Sequence, residues 1–414
     1  MNFLILLDHI IVSGSRFLLS VLVARFLGLD DFGVYALIWT IVTLASAMQI
    51  PISITPMMQI GPVVLAHRRK AFFASALMLQ LGFGLATLPI TVFGLILIIP
   101  DAYDVVLLSL IASVYIFIFN FYEYFRRYFF AEGNQVAALC FDLVLYSLIL
   151  ACVYVLVEVS SFSILTYFAL TLVPTGFLII LMVKVYTWRT TTPIVHRVFM
   201  RRLLRISYPL VSSSLASFIT GHAFVFSTAF FLGTNEVGGI AAVRNIVGPF
   251  MIILMALENS LIRTLTLYSK NQAMMRKYAN EVSFKWLCLF VVFALGLSFA
   301  SEFLMDLLYG NEFIVFSEVI PWFCAATLFQ VVSRVQTVRL RTEGQYVAIK
   351  KANIATMYFM LVTSPVLIMI FGIKGAGYSV VLISVLILIF QDLFEREGFI
   401  IRFVKSTMVG KLWQ

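Results

Sequence analysis

The sequence predicts an all-α polytopic membrane protein, with about twelve transmembrane helices in two pseudo-symmetric six-helix lobes. Three observations carry that expectation. First, the chain has 414 residues, of which 62% are hydrophobic and 12% charged, and its mean hydropathy is +1.03. Second, its apolar runs are continuous and rich in Leu, Ile, Phe and Val. A bilayer-crossing helix needs roughly 20 such residues, whereas a membrane barrel shows short alternating strands. Third, the cations keep to alternate connections. The even-numbered loops and the C-terminal tail hold 23 of the 29 Lys and Arg, and the odd loops hold only Arg25 and Lys374. Basic residues flanking membrane segments stay cytoplasmic, so both termini are expected inside.

The expected spans are 3–24, 32–64, 71–99, 105–125, 136–157, 162–183, 206–232, 238–266, 283–308, 317–337, 352–371 and 376–395. Residues 3–24 have no basic segment before them and no small-residue cleavage site after them. They are expected to be a retained span and not a signal peptide. The second span carries Pro51, Pro56 and Pro62, each of which removes a backbone donor, so it is expected to kink or break. The odd loops are short and acidic, with Asp30, Asp31, Asp101, Asp104, Glu158, Glu236 and Glu312 in or beside them. The longest connection, 184–205, is basic and divides the chain. The expected parts are an N-terminal lobe (1–190), a basic cytoplasmic linker (191–205), a C-terminal lobe (206–395) and a basic cytoplasmic tail (396–414).

The two halves echo each other. Leu27-Gly28-Leu29-Asp30-Asp31-Phe32-Gly33 matches Leu232-Gly233-Thr234-Asn235-Glu236-Val237-Gly238 at an offset of 205, and Glu132-Gly133-Asn134 pairs with Glu343-Gly344-Gln345. Six spans per half bring both halves in from the same side, a parallel repeat about an axis along the membrane normal.

Other chemistries find little support. A net charge of +9 could suggest nucleic acid, but cytoplasmic loop bias and anionic lipid account for it. Cys140, Cys152, Cys288 and Cys324 lie within apolar segments with no CxxC pair, and are expected to be buried small residues. His9, His67, His196 and His222 are scattered, so no metal site is expected. No phosphate-binding loop, HExxH or nucleophile elbow occurs.

Candidate functional residues are the polar groups inside the spans. Four cations, Arg16, Arg244, Arg263 and Arg334, fall within or at the edges of apolar segments. His9, Ser13, Arg16 and Ser20 follow a 4, 3, 4 spacing that puts them on one helix face. Arg16 sits roughly 20 Å along its helix at about 1.5 Å per residue, too deep to snorkel. A charge there faces a wet cavity or pairs with a buried acid such as Asp142. Arg244 and Glu258 share a face but stand roughly 21 Å apart, so they cannot pair without a kink. Arg263, near a helix end, is expected to snorkel. Ser213, Ser217, Thr220 and Gly221 form a small-residue side suited to close packing. His222 and Asp8 are further titratable candidates. Glu123, Asp142, Asp306, Arg334 and Asp392 lie near helix ends, where interfacial or paired roles are expected. Cations on the walls of a central cleft would suit an anionic ligand, since guanidinium grips phosphate bidentately.

These residues also resemble a family. Ala24-Arg25-Phe26-Leu27-Gly28-Leu29-Asp30-Asp31-Phe32-Gly33-Val34-Tyr35-Ala36-Leu37 is similar to the first external loop of Wzx-type polysaccharide flippases of the MOP superfamily. Arg126-Arg127 with Ala131-Glu132-Gly133-Asn134, then Leu308-Tyr309-Gly310-Asn311-Glu312-Phe313, then Phe371-Gly372-Ile373-Lys374-Gly375-Ala376-Gly377 resemble its later loops in order. The stretch before Ala24 is several residues shorter than is usual in that family. The resemblance implies a V-shaped fold working by alternating access in the bacterial inner membrane. The implied cargo is a polyprenyl-diphosphate-linked oligosaccharide, an O-antigen or capsule repeat unit. Arg16 and Arg25 resemble the cleft-facing first-helix arginines of related lipid II flippases.

The expectation is therefore a flippase and not an enzyme, with Arg16, Arg25 and Arg244 holding the anion. His9, Asp8, His222, Glu258 and Ser20 are cavity or coupling groups for an H+ or Na+ gradient, with no other cofactor. The expected partners are membrane lipids, a polysaccharide polymerase and a chain-length regulator, around a monomer. The rivals are a multidrug antiporter of the same superfamily, which would favour acidic cavity groups, and a membrane glycosyltransferase, which would need a large external loop.

Overall fold

The structure, a computed structural model, describes residues 3–64, 66–100, 103–159, 162–189, 197–268 and 271–395. Asp101, residues 191–196 of the expected linker, Lys270 and the whole tail with Arg396, Arg402, Lys405 and Lys411 lie outside the described residues, as does the side chain of Arg263. The described chain is built from thirteen α-helices: α1 (Phe3–Gln49), α2 (Thr55–Ile60), α3 (Ala66–Ile96), α4 (Val105–Ala131), α5 (Gln135–Glu158), α6 (Ile164–Arg189), α7 (Arg197–Phe231), α8 (Thr234–Leu267), α9 (Gln272–Phe299), α10 (Ser301–Tyr309), α11 (Ile320–Thr342), α12 (Tyr346–Phe371) and α13 (Ile373–Phe394).

Among the described residues, eleven segments are long and apolar enough to cross a membrane, and the first of them, Leu7–Val63, is 57 residues long. At about 1.5 Å per residue that segment is far longer than one crossing of the roughly 30 Å apolar core needs, so with the break at Gly28 it accounts for two crossings and the described residues make twelve. Gly28 separates them, with φ 81° and ψ −178° inside α1. Its repeat mate Gly233 has φ 111° and ψ −174° before α8. The second echo matches as closely. Gly133 and Asn134 donate to Phe130 and Phe129 carbonyls, and Gly344 and Gln345 donate to Arg341 and Leu340, with Gly133 at φ 77° and Gly344 at φ 73°. A left-handed glycine closes the helix C-terminus in both.

The prolines break the second span as expected. A π-helical turn, Ile50–Ile54, contains Pro51, α2 contains Pro56, and a 3-10 turn, Gly61–Val63, contains Pro62. Several expected boundaries move: the fourth span runs on to Ala131, the seventh begins at Arg197 and the ninth at Gln272. The ninth span is divided at Ala300 into α9 and α10, and the tenth runs on to Thr342, preceded by a 3-10 segment, Asn311–Val319. Expected burial of the cysteines is also corrected. Only Cys324 is buried, while Cys140 and Cys288 are exposed. The outer face of a membrane helix is solvated by lipid, so an apolar thiol gains nothing by burial there.

The chain forms two compact units, Met1–Leu215 and Ala216–Gln414, dividing within α7. In the first, α4 packs on α3, α6, α5 and α1. Its core is aromatic: Trp39 meets Phe119 edge-on at 5.4 Å, Tyr35 meets Tyr167 at 5.5 Å and Tyr115 meets Phe168 at 5.2 Å. At the α3–α4 loop, Asp104 caps α4 by accepting from the Leu107 N–H at 3.1 Å, and the Tyr103 hydroxyl donates to Asp31. Burial, and then the Asp31 carboxylate, push the Tyr103 hydroxyl above its usual pKa.

In the second unit, α11 is the hub, packed on α13, α9, α8 and α12. Leu261, Leu265, Met275, Ala279, Val282, Val335 and Val338 join α8, α9 and α11. Beside them Glu395, 2% exposed, accepts from Arg339 at 2.5 Å and Arg276 at 3.2 Å. The α12–α13 turn is tight: a Cβ at Gly375 would stand 2.2 Å from the Leu367 carbonyl oxygen, whereas one at Gly82 would meet nothing within 4 Å. Gly375→Ala should therefore destabilise the purified protein by about 1–3 kcal/mol through overpacking. Gly82→Ala should leave it unchanged or slightly more stable, and thermal unfolding in detergent reads both.

Candidate functional site

Two groups of cations within the spans, one in each unit, bear on the site. In the first unit Arg126 is locked between α1, α4 and α5. Its Nη2 donates to Asp8 at 2.5 Å and its Nε to Asp142 at 2.6 Å, with all three side chains at most 3% exposed. The Tyr122 hydroxyl donates to the other Asp142 oxygen at 2.6 Å. Arg126 is thus not the solvated loop cation that the charge pattern suggested. Removed from water, it persists because two carboxylates and their hydrogen bonds compensate for the lost hydration.

Arg16 stands beside this cluster. Its Nη2 donates to Glu123 at 2.7 Å and its Nε to the Tyr146 hydroxyl at 2.6 Å, while its guanidinium lies 5.2 Å from the Phe119 ring centre. Its acidic partner is Glu123 on α4 and not Asp142, which Arg126 takes. Its side chain remains 36% exposed. Asp8 is sealed in the Arg126 cluster, His9 is half-buried and Ser20 is buried. Arg25 is exposed, three residues before the Gly28 turn.

The second unit contains a cavity of about 620 Å³, within the usual range for ligand pockets. Five helices line it: α7, α8, α11, α12 and α13. Arg244 and His222 line it together, with Arg244 Nη2 3.4 Å from His222 Nε2 and the guanidinium 5.9 Å from the Phe224 ring centre. Ser217, Thr220 and Gly221 also face this space. A Cβ at Gly221 would meet nothing within 4 Å, so these small residues open a cavity where close helix packing was expected.

Arg334 and Arg341 complete the cationic wall. Behind them Glu258, whose side chain is 11% exposed, is 3.5 Å from Arg334 Nη1 and 3.3 Å from Arg341 Nη1. Neutral hydrogen-bonding groups fill the gaps: Gln330 Nε2 donates to Ser384 at 3.2 Å and Gln391 Nε2 to Thr337 at 2.8 Å. No Asp or Glu is among the lining residues.

The sequence contained a signal for this wall that the span boundaries concealed. Thr327, Gln330, Arg334, Thr337 and Arg341 follow a 3, 4, 3, 4 spacing, the helical stripe that marked Arg16. Ending the tenth span at 337 left Arg341 in a loop. The predicted site residues therefore fall into two groups. Arg16, Arg25, Asp8, His9 and Ser20 belong to the first unit, and Arg244, His222 and Glu258 to the second. Among the described residues no cluster of three His, Cys, Asp or Glu side chains could hold a metal.

Comparison with known proteins is consistent with this architecture. The profile of the Polysacc_synt family, described as polysaccharide biosynthesis protein, matches residues 2–248. No curated protein matches the chain. Among solved structures, the chain is similar to an inward-facing multidrug resistance MATE family transporter of the MOP superfamily. The TM-score is 0.74 at 13% identity, over 97% of this chain and 96% of that one. It is also similar to the lipid II flippase MurJ in an inward closed conformation, with TM-score 0.74 at 11% identity, over 98% and 89%. A third likeness is to a MOP superfamily transporter from Pyrococcus furiosus described by the reverse polarity of its binding pocket, with TM-score 0.66 at 12% identity, over 94% and 93%. At these identities the likeness is one of fold, the fold of MOP superfamily transporters.

The two settings predict opposite responses to charge removal. Arg126→Met leaves two buried carboxylates without their cation and should cost about 3–5 kcal/mol, with loss of folded protein from membranes. Arg341→Gln, at a half-exposed wall position, should change the unfolding temperature by less than about 2 °C. Size-exclusion yield and thermal unfolding measure both.

Proposed function

Because the chain belongs to the family of polysaccharide biosynthesis proteins, matched over residues 2–248, we propose that it is a flippase for a polyprenyl-diphosphate-linked oligosaccharide. The cargo is an O-antigen, capsule or exopolysaccharide repeat unit, carried from the cytoplasmic to the periplasmic leaflet by alternating access. The observation that carries this reading is the cavity with Arg244, Arg334 and Arg341 on its wall and no acidic lining residue. A diphosphate brings two adjacent anionic groups, and each guanidinium fork pairs with phosphate oxygens in two parallel hydrogen bonds. The neutral Gln, Ser, Thr and Asn groups around it suit sugar hydroxyls. Arg16 and Arg25 are the corresponding contacts of the first unit.

No covalent bond changes in such a cycle, so the protein acts as a carrier and not as an enzyme. Net movement needs different affinities at the two faces or coupling to an H+ or Na+ gradient. Asp8, His9, His222, Glu258 and Ser20 are the residues to test for that coupling. In this reading the protein works in the bacterial inner membrane as a monomer, beside a polymerase and a chain-length regulator, and the Lys/Arg bias of its loops supports cytoplasmic termini. A multidrug antiporter is disfavoured by the same cavity, because a cationic wall repels cationic drugs.

The test is complementation of a strain lacking its own O-unit flippase, with surface polysaccharide read on gels. Wild-type protein should restore polymer. Arg244→Ala and Arg16→Ala should insert normally yet lower polymer at least tenfold, the cost of about 1.5–3 kcal/mol for a charged hydrogen bond. Arg16→Ala is expected to insert because Glu123 keeps a second cation, Arg126, at 3.7 Å. Arg16→Lys should retain part of the activity. Drug resistance without polymer would overturn the flippase reading in favour of the antiporter.

A further inference from the structure

The charges behind the cavity wall carry one step more, which rests on the flippase reading above. Three ion pairs in the first unit are short, at 2.5–2.7 Å for Arg126 with Asp8 and Asp142 and for Arg16 with Glu123, although Arg126 and Glu123 stand 3.7 Å apart. Those of Glu258 are long, at 3.5 Å to Arg334 and 3.3 Å to Arg341, beyond the usual 2.7–2.9 Å of a charge-assisted bond. One carboxylate is shared between two guanidiniums, and each gives it a single Nη1. Arginine has five N–H donors, so most of each fork stays unspent. The unspent part faces open space, since both arginines line the cavity and their side chains are 42% and 47% exposed. Glu258 itself is nearly buried and reaches the cavity only through them.

We infer that Glu258 is a resident counter-ion that tempers the Arg334–Arg341 pair, so that the pair binds a diphosphate headgroup loosely enough to let it go. The pair alone carries two positive charges. Glu258 cancels one, and it stands just behind the guanidiniums that an incoming phosphate would touch. Every anion on that wall therefore meets attraction from the arginines and repulsion from the carboxylate. A carrier gains from such moderation: a site that binds too tightly fills and does not empty. Removing the carboxylate charge should therefore strengthen binding and impair transport together. Loss of a purely structural residue weakens both.

Binding of inorganic pyrophosphate and of farnesyl diphosphate to the purified full-length protein in detergent tests this, by titration calorimetry at low salt. Glu258→Gln, which keeps the side-chain volume and removes the charge, should lower Kd for pyrophosphate about tenfold, since it removes a juxtaposed like charge. The gain should shrink as salt screens it. In the same variant, complementation should fall. Arg334→Gln and Arg341→Gln should each raise Kd about tenfold. Glu258→Asp, which draws the carboxylate back by one methylene, should shift Kd in the same direction by a smaller factor, and it serves if the Gln variant fails to fold. Farnesyl diphosphate binding tighter than pyrophosphate assigns the site to a lipid headgroup, and equal binding assigns it to the free diphosphate chemistry; the inference about Glu258 holds in either case. Unchanged or weakened pyrophosphate binding in Glu258→Gln overturns it. If the Kd shifts appear but wild-type protein restores no surface polymer, the counter-ion inference stands and the flippase reading fails.

Discussion

A guanidinium cannot lose its proton inside a protein, so an arginine among apolar helices must meet an anion or a wet, polar wall. Much of this structure follows from that requirement. Where Arg126 lies between α1, α4 and α5, two aspartates and a tyrosine surround it, and three helices are tied together by the compensation. Where Arg244, Arg334 and Arg341 stand on α8 and α11, small and polar residues of α7, α12 and α13 keep the space before them open. The first arrangement spends the charge on architecture. The second keeps it available to a ligand.

The repeat shows the same division. Gly28 and Gly233, and Gly133 and Gly344, take the same left-handed conformations at matched points of the two halves. The backbone plan is thus duplicated while the polar side chains diverge. At the offset of 211 set by the second pair of turns, Glu123 of the first half matches Arg334 of the second. An acid that holds Arg16 in one half is replaced by a cation that lines a cavity in the other. The turns that set the backbone path are matched in the two halves, whereas the charges between them differ.

The spans, the alternation of basic loops, the proline break and the repeat were legible because each depends on composition or on a short local pattern. The partners of the buried charges were not. Arg16 takes Glu123, and Asp142 goes to Arg126, because of how α1, α4 and α5 cross, and no spacing within one helix encodes that crossing. Arg126 belonged by pattern to a basic loop, yet α4 runs on to Ala131 and carries it inside. Arg341 was hidden in the same way by the length of α11. In both cases a helix longer than its apolar stretch turned an apparent loop residue into a wall or core residue.

The Arg126 cluster also constrains how the chain is made. Its three charged members arrive in order: Asp8 on α1, Arg126 on α4 and, 16 residues later, Asp142 on α5. Until α5 emerges, Arg126 has Asp8 and Glu123 as counter-charges but lacks the Asp142 oxygen that accepts from its Nε. Docking of α5 closes the cluster and fixes α1, α4 and α5 together. Assembly of this unit is thereby ordered along the chain: with α1 and α4 alone the Arg126 Nε has no carboxylate to donate to, and only α5 supplies it.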